Sequence, residues 1–448
     1  MNWIQLLSDQ RPGEKRKEKN SQRSKFEQDY DRIIFSHPFR MLQDKTQVFP
    51  LAKQDFVHTR LTHSLEVASV GRSLGKLAGE IVLEKHPEVR EEGFTSSDFG
   101  AIVSAASLMH DMGNPPFGHA GENAISEFFK KQEIVDLIKH QVAEMEWEDL
   151  TNFEGNAQGF RLANKQNYQG LKLTFATLGA FTKYPRESKI ELLKNDRKSQ
   201  KKYGFLQSNK AVFQELAEGM GLIRLGNETD AAWCRHPLAF LVEAADDICY
   251  SIIDLEDGTN LELVTLEETK SLLVEIIGDA FQEEKFNRIQ SKKEQVSVLR
   301  AMAISRLIIQ SVDKFMEFEE QLLDGTFDKA LTGQIGAAPV LEKIQSISFE
   351  KIYKSKPVIE REIAGFEVLD GLLETFVPAM LNLRSAQKLS WHNSSLLRLL
   401  PQDFLFEIEN SGNLYESLLV LLDFISGLTD SHALSIFRNI KGISLPGV

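Results

Sequence analysis

The segment SLMHDMGNPPFGHAGE, residues 107–122, joins two predicted helices through a break that no helix can continue. The chain before it is apolar and rich in small residues, so the first helix can pack closely on its neighbours. A glycine suits the end of that helix, and the two prolines prevent it from resuming. The segment therefore predicts a buried helix ending at His110 and Asp111, and a new helical turn on which His119 and Glu122 share a face.

The rest of the chain indicates an all-α protein. Only 13 of its 448 residues are proline, strand-like alternation is scarce, and apolar stripes recur at helical spacing. One stripe joins His63, Val67, Val70, Leu74 and Leu77 on a single helix face. With 42% apolar and 26% charged residues, the chain can bury one large core or two or three smaller ones.

Three regions are expected along the chain. Residues 1–25 are predicted to form a basic, mobile arm, because residues 11–25 carry seven Lys or Arg and almost no apolar groups. An arm that binds anions or assists assembly is the alternative. Residues 26–270 are predicted to form the principal helical domain, with residues 271–448 as a helical carboxy-terminal region packed on it. A basic stretch at 183–202 is predicted to lie on the surface, where its lysines would suit phosphates if it folds over an active site.

Net charge and cysteine content limit the ligands and the cellular compartment that the chain suits. A net charge of −13 repels polyanions unless a metal or a local group of cations attracts them. Two cysteines, Cys234 and Cys249, are too few for a disulfide framework or a cysteine zinc site. No apolar run is long enough for a membrane span. These features predict a cytoplasmic protein with no membrane segment.

A metal site is predicted from four residues spread along the chain. His110 and Asp111 alone are most simply a hydrogen-bonded core pair. The presence of His63 on an apolar helix face and Asp246 on a later helix favours a metal site over such a core pair. Imidazoles and carboxylates together are ligands for a divalent cation.

Two further groups of polar residues allow either a functional or a structural interpretation. Asp246, Tyr250 and Asp254 form a stripe at i, i+4 and i+8, which would be costly to bury without partners. A solvent-facing carboxylate stripe is the alternative. His119 and Glu122 can form a proton-transfer unit, or can serve only in capping and surface hydrogen bonds.

Taken in order, these residues resemble the H…HD…D signature of the HD-domain metal-dependent phosphohydrolases. Five blocks narrow the resemblance to the deoxyguanosine triphosphate triphosphohydrolase family: FRMLQDKTQVFPL (39–51), RLTHSLEV (60–67), HDMGNPPFGHAGE (110–122), FEGNAQGFR (153–161) and EAADDICYSIIDLED (243–257). The matches run from about residue 20 to 260. The resemblance implies an all-α fold with a metal inside its helical core, and hydrolysis of a deoxynucleoside triphosphate to the deoxynucleoside and inorganic tripolyphosphate.

The resemblance also implies a role for each matching position. The implied metal ligands are His63, His110, Asp111 and Asp246. The implied catalytic pair is His119 and Glu122. The residues implied to surround the deoxyribose are Gln47, Tyr250 and Asp254. The implied phosphate contacts are Arg60, Lys202, Tyr203 and Lys210.

The family further implies one divalent ion per site, Mg²⁺ or Mn²⁺. It also implies a homo-oligomer, often a hexamer, and in some members a nucleotide or single-stranded DNA effector. Two alternatives remain open at this stage. One is another HD phosphohydrolase acting on nucleoside monophosphates or signalling nucleotides, and the other is a non-catalytic nucleotide- or DNA-binding regulator.

Overall fold

The computed structural model describes residues 1–14, 23–47, 58–165, 170–191, 197–226, 230–385 and 388–443. Within these ranges the chain forms 23 α-helices and two short strands, which confirms the all-α prediction. The first helices are α1 (Trp3–Leu6), α2 (Lys25–Ile34), α3 (His37–Met41), α4 (Arg60–Lys85), α5 (Pro87–Glu91), α6 (Ser96–Met109), α7 (His119–Lys130), α8 (Gln132–Ile138), α9 (Glu144–Thr151), α10 (Gly155–Ala163), α11 (Phe175–Phe181), α12 (Lys210–Gly219) and α13 (Pro237–Asn260). The later helices are α14 (Leu266–Ile277), α15 (Glu283–Phe286), α16 (Lys292–Glu317), α17 (Glu319–Leu323), α18 (Ala338–Ser348), α19 (Lys356–Arg384), α20 (Trp391–Leu397), α21 (Gln402–Asn410), α22 (Leu414–Gly427) and α23 (Asp430–Ile440).

The two strands form one small antiparallel pair before α13. They are β1 (Arg224–Leu225) and β2 (Ala232–Trp233), with Arg224 opposite Trp233. A π-helical turn at Phe349–Tyr353 follows α18.

Close packing of α4 against α6 places the predicted metal ligands together. A Cβ at Gly71 would lie 2.6 Å from the Ser107 hydroxyl, and one at Gly75 would lie 2.6 Å from a backbone carbonyl of α6. The two helices therefore run antiparallel at a distance that only small residues allow. Since His63 lies in the first turn of α4 and His110 directly follows α6, the two imidazoles meet at one end of the pair.

The apolar core of the described ranges consists of two clusters. The first cluster joins helices from α1 to α6 with parts of α10 to α18 and the start of α19, and the second joins α7 to α9 and part of α10 with α19 to α23. Helices α14 to α18 thus pack with the amino-terminal helices across the boundary predicted near residue 270. The division of the chain at that boundary stays a prediction about folding units.

The first 14 residues differ from the predicted arm. Trp3 and Leu6 are buried in the first cluster, and the Trp3 indole donates a hydrogen bond to Glu319 at 2.9 Å. Arg11 forms a buried ion pair with Asp29 at 2.7 Å. Burial of these apolar groups outweighs the basic composition, so residues 1–14 belong to the folded core. Most of the basic run, residues 15–22, lies outside the described residues.

By length and hydropathy, no single helix in the described ranges could cross a membrane. Helices α22 and α23 pass that test only as a pair, and their axes are bent by 110°.

Candidate active site

Four side chains, from α4, α13 and the residues directly after α6, converge at the predicted metal site. His63 Nε2 lies 3.2 Å from an Asp246 carboxylate oxygen, and His110 Nε2 lies 3.6 Å from the same oxygen. His110 Nε2 is also 3.5 Å from Asp111. The His110 Nδ1–H donates to the Ser107 carbonyl at 2.7 Å, so Nε2 is the nitrogen that faces the two carboxylates.

The residues present fit a divalent cation. Donor atoms of His63, His110 and Asp111 lie within 4.8 Å of one another, and Asp246 is in contact with both imidazoles. Burial alone would raise the pKa of Asp246, but His110, His63 and a nearby lysine hold it well below its usual range. Burial likewise opposes ionisation of Asp111, yet Arg60, 2.9 Å away, lowers its pKa. Both carboxylates are therefore ionised, and together with the two imidazoles they face one point as the donor set of a divalent cation.

A cavity of about 540 Å³ opens beside this cluster. The residues predicted from sequence that line it are Gln47, Arg60, His110, Asp111, His119, Glu122, Lys202, Asp246 and Tyr250. Four other predicted residues lie behind or away from the lining: His63, which is buried, and Tyr203, Lys210 and Asp254. The Tyr203 hydroxyl donates to the Asp149 carbonyl at 3.2 Å, and Lys210 pairs with Glu187 at 2.7 Å. Asp254 accepts a hydrogen bond from the lining residue Tyr353.

His119 and Glu122 form a pair on the cavity side of the first turn of α7. His119 Nδ1 lies 3.0 Å from Glu122 Oε2, and the other Glu122 oxygen accepts a hydrogen bond from the Gly155 amide at 2.8 Å. Burial would raise the pKa of Glu122, whereas His119 and Lys202 lower it, so Glu122 is a carboxylate. The His119 side chain is 80% exposed, while that of Glu122 is only 11% exposed. Nε2 of His119 is therefore the nitrogen that a ligand in the cavity can reach.

The loop between α6 and α7 reaches this geometry through unusual backbone conformations. Phe117 has φ +62° and Gly118 has φ +58°, both in the left-handed region, directly before His119. The loop also touches α10 very closely, because a Cβ at Gly113 would lie 2.0 Å from the Gly155 carbonyl. Gly113 and Gly155 therefore allow the backbone after α6 to contact the backbone of α10 directly.

The HD domain family model matches residues 60–163, which span α4 to α10. A deoxyguanosinetriphosphate triphosphohydrolase-like protein of Synechocystis is 41% identical to the chain, over 99% of this chain and 100% of the relative. A protein of the same name from Pseudomonas aeruginosa is 38% identical over the full length of both. The deoxyguanosinetriphosphate triphosphohydrolase of Salmonella typhimurium is 30% identical, over 93% of this chain and 94% of the relative.

The chain belongs to the deoxyguanosinetriphosphate triphosphohydrolase family of the HD superfamily. Membership makes it a hydrolase of the metal-dependent phosphohydrolase class. This agrees with the donor set at His63, His110 and Asp111, which stands at the start and in the middle of the matched domain.

In this family member the cavity holds a lysine that the motifs did not single out. Lys183 lines the cavity with its ammonium 3.3 Å from Glu243 and 3.9 Å from Asp246. Burial opposes its charge, but Glu243 raises the pKa of Lys183, so it is an ammonium ion. The basic stretch at 183–202 was the available signal, and its first lysine is half-buried beside the predicted metal ligands rather than out on the surface. Residues 192–196 of that stretch lie outside the described residues.

The carboxy-terminal region supplies part of the cavity wall, which no motif indicated. Tyr353, in the π-helical turn after α18, stacks on Tyr250 with ring centroids 5.9 Å apart and planes 15° apart. Its hydroxyl donates to Asp254, whose pKa burial raises to about 7. On the same cavity, the buried Oε1 of Gln47 has no hydrogen-bond partner within the described part of the chain.

Proposed function

We propose that the chain hydrolyses deoxynucleoside triphosphates, dGTP among them, to the deoxynucleoside and inorganic tripolyphosphate. The observation that carries the proposal is one cavity lined by metal donors, a His–Glu pair and three cations, Arg60, Lys183 and Lys202. The names of the Synechocystis and Salmonella relatives support the choice of dGTP as a substrate. The lysines and the arginine suit a chain of phosphates, because charge-assisted hydrogen bonds are the strongest ones available to a protein.

His63, His110, Asp111 and Asp246 would hold one divalent ion, Mg²⁺ or Mn²⁺. When bound, such an ion supplies Lewis acidity to a non-bridging phosphate oxygen. Arg60 stands one helical turn before His63 and contacts Asp111, so its guanidinium can bind a phosphate at the edge of the same site.

His119 and Glu122 are proposed to move the proton. Water oxygen forms the new bond to the α-phosphorus, the bond from phosphorus to the 5′-oxygen breaks, and a proton ends on that 5′-oxygen. The Glu122 carboxylate accepts from His119 Nδ1 and keeps Nε2 as the exchanging atom. His119 Nε2 can take a proton from water or, once protonated, give one to the 5′-oxygen.

The deoxyribose is proposed to lie against Gln47 and Tyr250, while Asp254, which the sequence grouped with them, lies behind the cavity lining. The Tyr250–Tyr353 stack forms a flat wall, and the Tyr353 hydrogen bond holds Asp254 in place behind it. A sugar packed against this wall would leave little room for a 2′-hydroxyl. A homo-oligomer and a nucleotide or single-stranded DNA effector remain predictions from the sequence.

The test is incubation of the purified full-length protein with each of the four dNTPs, singly and mixed, with Mg²⁺ or Mn²⁺. Tripolyphosphate and deoxynucleoside as products are the expected result. Orthophosphate or pyrophosphate would instead assign the chain to another HD phosphohydrolase activity. Absence of metal-dependent turnover in every mixture would favour a binding regulator, and activity only in mixtures would reveal a nucleotide effector. His119→Ala prepared in parallel controls for contaminating phosphatases.

A further inference from the structure

The start of α23 contacts two separate loops of the catalytic cavity. Asp430, the first residue of α23, is buried, with 1% of its surface exposed. One carboxylate oxygen accepts hydrogen bonds from the Thr46 amide at 3.1 Å and the Thr46 hydroxyl at 2.6 Å. The other oxygen accepts from the Phe117 amide at 2.9 Å. A single side chain thus joins the loop that carries Gln47 to the loop that precedes His119.

A second tie runs parallel to the first. The ammonium of Lys45, 2% exposed, donates to the Asn114 carbonyl at 2.7 Å and to the Ser426 carbonyl at 2.5 Å. The Asn114 side chain in turn donates to Asp111 at 2.6 Å. The segment 426–430, which joins α22 to α23, is therefore hydrogen-bonded to both loops. Ser426 and Asp430 contact the loop that carries Gln47, and Asp430 also contacts the loop between Asp111 and His119.

The hydrogen bond from the Phe117 amide to Asp430 lies at a strained position of the backbone. Phe117 is buried and has φ +62°, a conformation that a residue with a bulky side chain adopts only when its surroundings enforce it. Phe117 and Gly118 set the direction in which α7 begins, and His119 is the first residue of that helix. A carboxylate that fixes the Phe117 amide consequently fixes the position of His119.

We propose that Asp430 is a positioning residue, which acts on His119 through Phe117 and on Gln47 through Thr46. Lys45 is its companion tie to the metal-ligand loop. This role rests on the proposed function, because His119 and Gln47 are assigned there. It gives the motif-poor carboxy-terminal region a share in catalysis without direct contact between Asp430 and substrate.

Asp430→Asn is the central test, because the amide keeps the shape of the carboxylate but can accept hydrogen bonds at only one of its two positions. A displacement of about 1 Å at the reacting groups costs on the order of 10²-fold in rate. We therefore expect kcat for dNTP hydrolysis to fall tenfold to a hundredfold, while metal content stays that of the unaltered protein. Hydrogen exchange of a peptide covering residues 114–122 should become faster.

Asp29→Asn is the matched control. Asp29 is also fully buried and accepts from the Thr174 amide at 2.9 Å and hydroxyl at 2.6 Å, but it is not among the cavity-lining residues. It should lower the melting temperature while leaving kcat and the exchange of residues 114–122 unchanged. If Asp430→Asn lowers the melting temperature but leaves kcat and the exchange of residues 114–122 unchanged, as is expected of Asp29→Asn, Asp430 is merely structural and the inference fails.

Lys45→Met keeps the inference testable should Asp430→Asn not fold. It should accelerate exchange of the Asn114 loop and lower kcat, and wild-type values of both would overturn the inference. Hydrogen exchange also separates two kinds of failure. If the unaltered protein hydrolyses no dNTP, the proposed function fails, yet the exchange difference between Asp430→Asn and Asp29→Asn still reports whether Asp430 holds the loop.

Discussion

Replacing Gly155 by alanine is expected to abolish most of the turnover, although Gly155 is not a predicted metal ligand. A Cβ at this position would lie 2.1 Å from the Asn114 side-chain oxygen and 2.9 Å from Glu122 Oε1. A carbon and an oxygen do not approach much closer than about 3.3 Å, so Asn114 or α10 must move by about 1 Å. Asn114 donates to Asp111, and Gly155 donates to Glu122, so the shift reaches both the metal site and the catalytic pair.

The expected cost has two parts. Overpacking a well-packed interior destabilises the fold by about 1–3 kcal/mol. Misplacement of the reacting groups by about 1 Å lowers turnover by about 10²-fold. We therefore expect Gly155→Ala to show a lower melting temperature and a kcat about a hundredfold below that of the unaltered protein, with KM changed much less.

The assay is steady-state release of tripolyphosphate from dGTP, together with metal content and thermal unfolding. Gly412→Ala is the matched control, because a Cβ at Gly412 has no atom within 4 Å and should change turnover less than twofold. A folded Gly155→Ala protein with kcat within twofold of the unaltered protein would refute the steric reasoning. Equal losses in both variants would refute it as well.

Three further predictions address the charged groups. His119→Ala should keep its metal and lose most turnover, whereas Asp246→Ala should lose its metal; full metal occupancy in the latter would contradict the assigned ligands. Lys183→Met should lower kcat/KM by about 10- to 100-fold, since a hydrogen bond to a charged group contributes about 1.5–3 kcal/mol, while Lys198→Met, which removes another ammonium bound to the same carboxylate but is not among the cavity-lining residues, should change it little. Burial lowers the pKa of His236 to about 4, so its neutral form stabilises the fold above pH 6.5 and that contribution is lost as pH falls from 6.5 to 4; denaturant unfolding should show a loss of about 3 kcal/mol over this window that His236→Gln lacks, and identical pH profiles would contradict it.

The sequence predicted those parts of the site that depend on helical periodicity. His63 and Asp246 lie on helices whose apolar stripes could be read directly, and Gly113 with its following prolines marked where α6 must stop. Local rules of this kind place a residue on a face and at a helix end. They were sufficient for the all-α class and for placing each predicted ligand on a helix face or at a helix end, whereas the family resemblance implied that these ligands converge.

Contacts between distant segments could not be predicted in this way. Tyr353 and Asp430 come from the last hundred residues, where no motif distinguishes them from other polar residues on amphipathic helices. Lys202 and Tyr203 show the same limit over a single step, because Lys202 lines the cavity while the Tyr203 hydroxyl bonds to Asp149. Whether a side chain reaches the cavity depends on the tertiary packing around it. Two residues that are adjacent in sequence can point in different directions, so that only one of them lines the cavity.

The lining of the cavity carries more carboxylates than cations. Among described residues the lining includes three cations, Arg60, Lys183 and Lys202, and five carboxylates, Asp111, Glu122, Glu243, Asp246 and Glu362. The excess of two negative charges equals the charge of one divalent ion. Each cation also has a carboxylate partner, as Arg60 has Asp111 and Lys183 has Glu243. The carboxylates of the metal-free cavity would therefore oppose the binding of a polyanion, and a divalent ion held by them would offset that excess of negative charge.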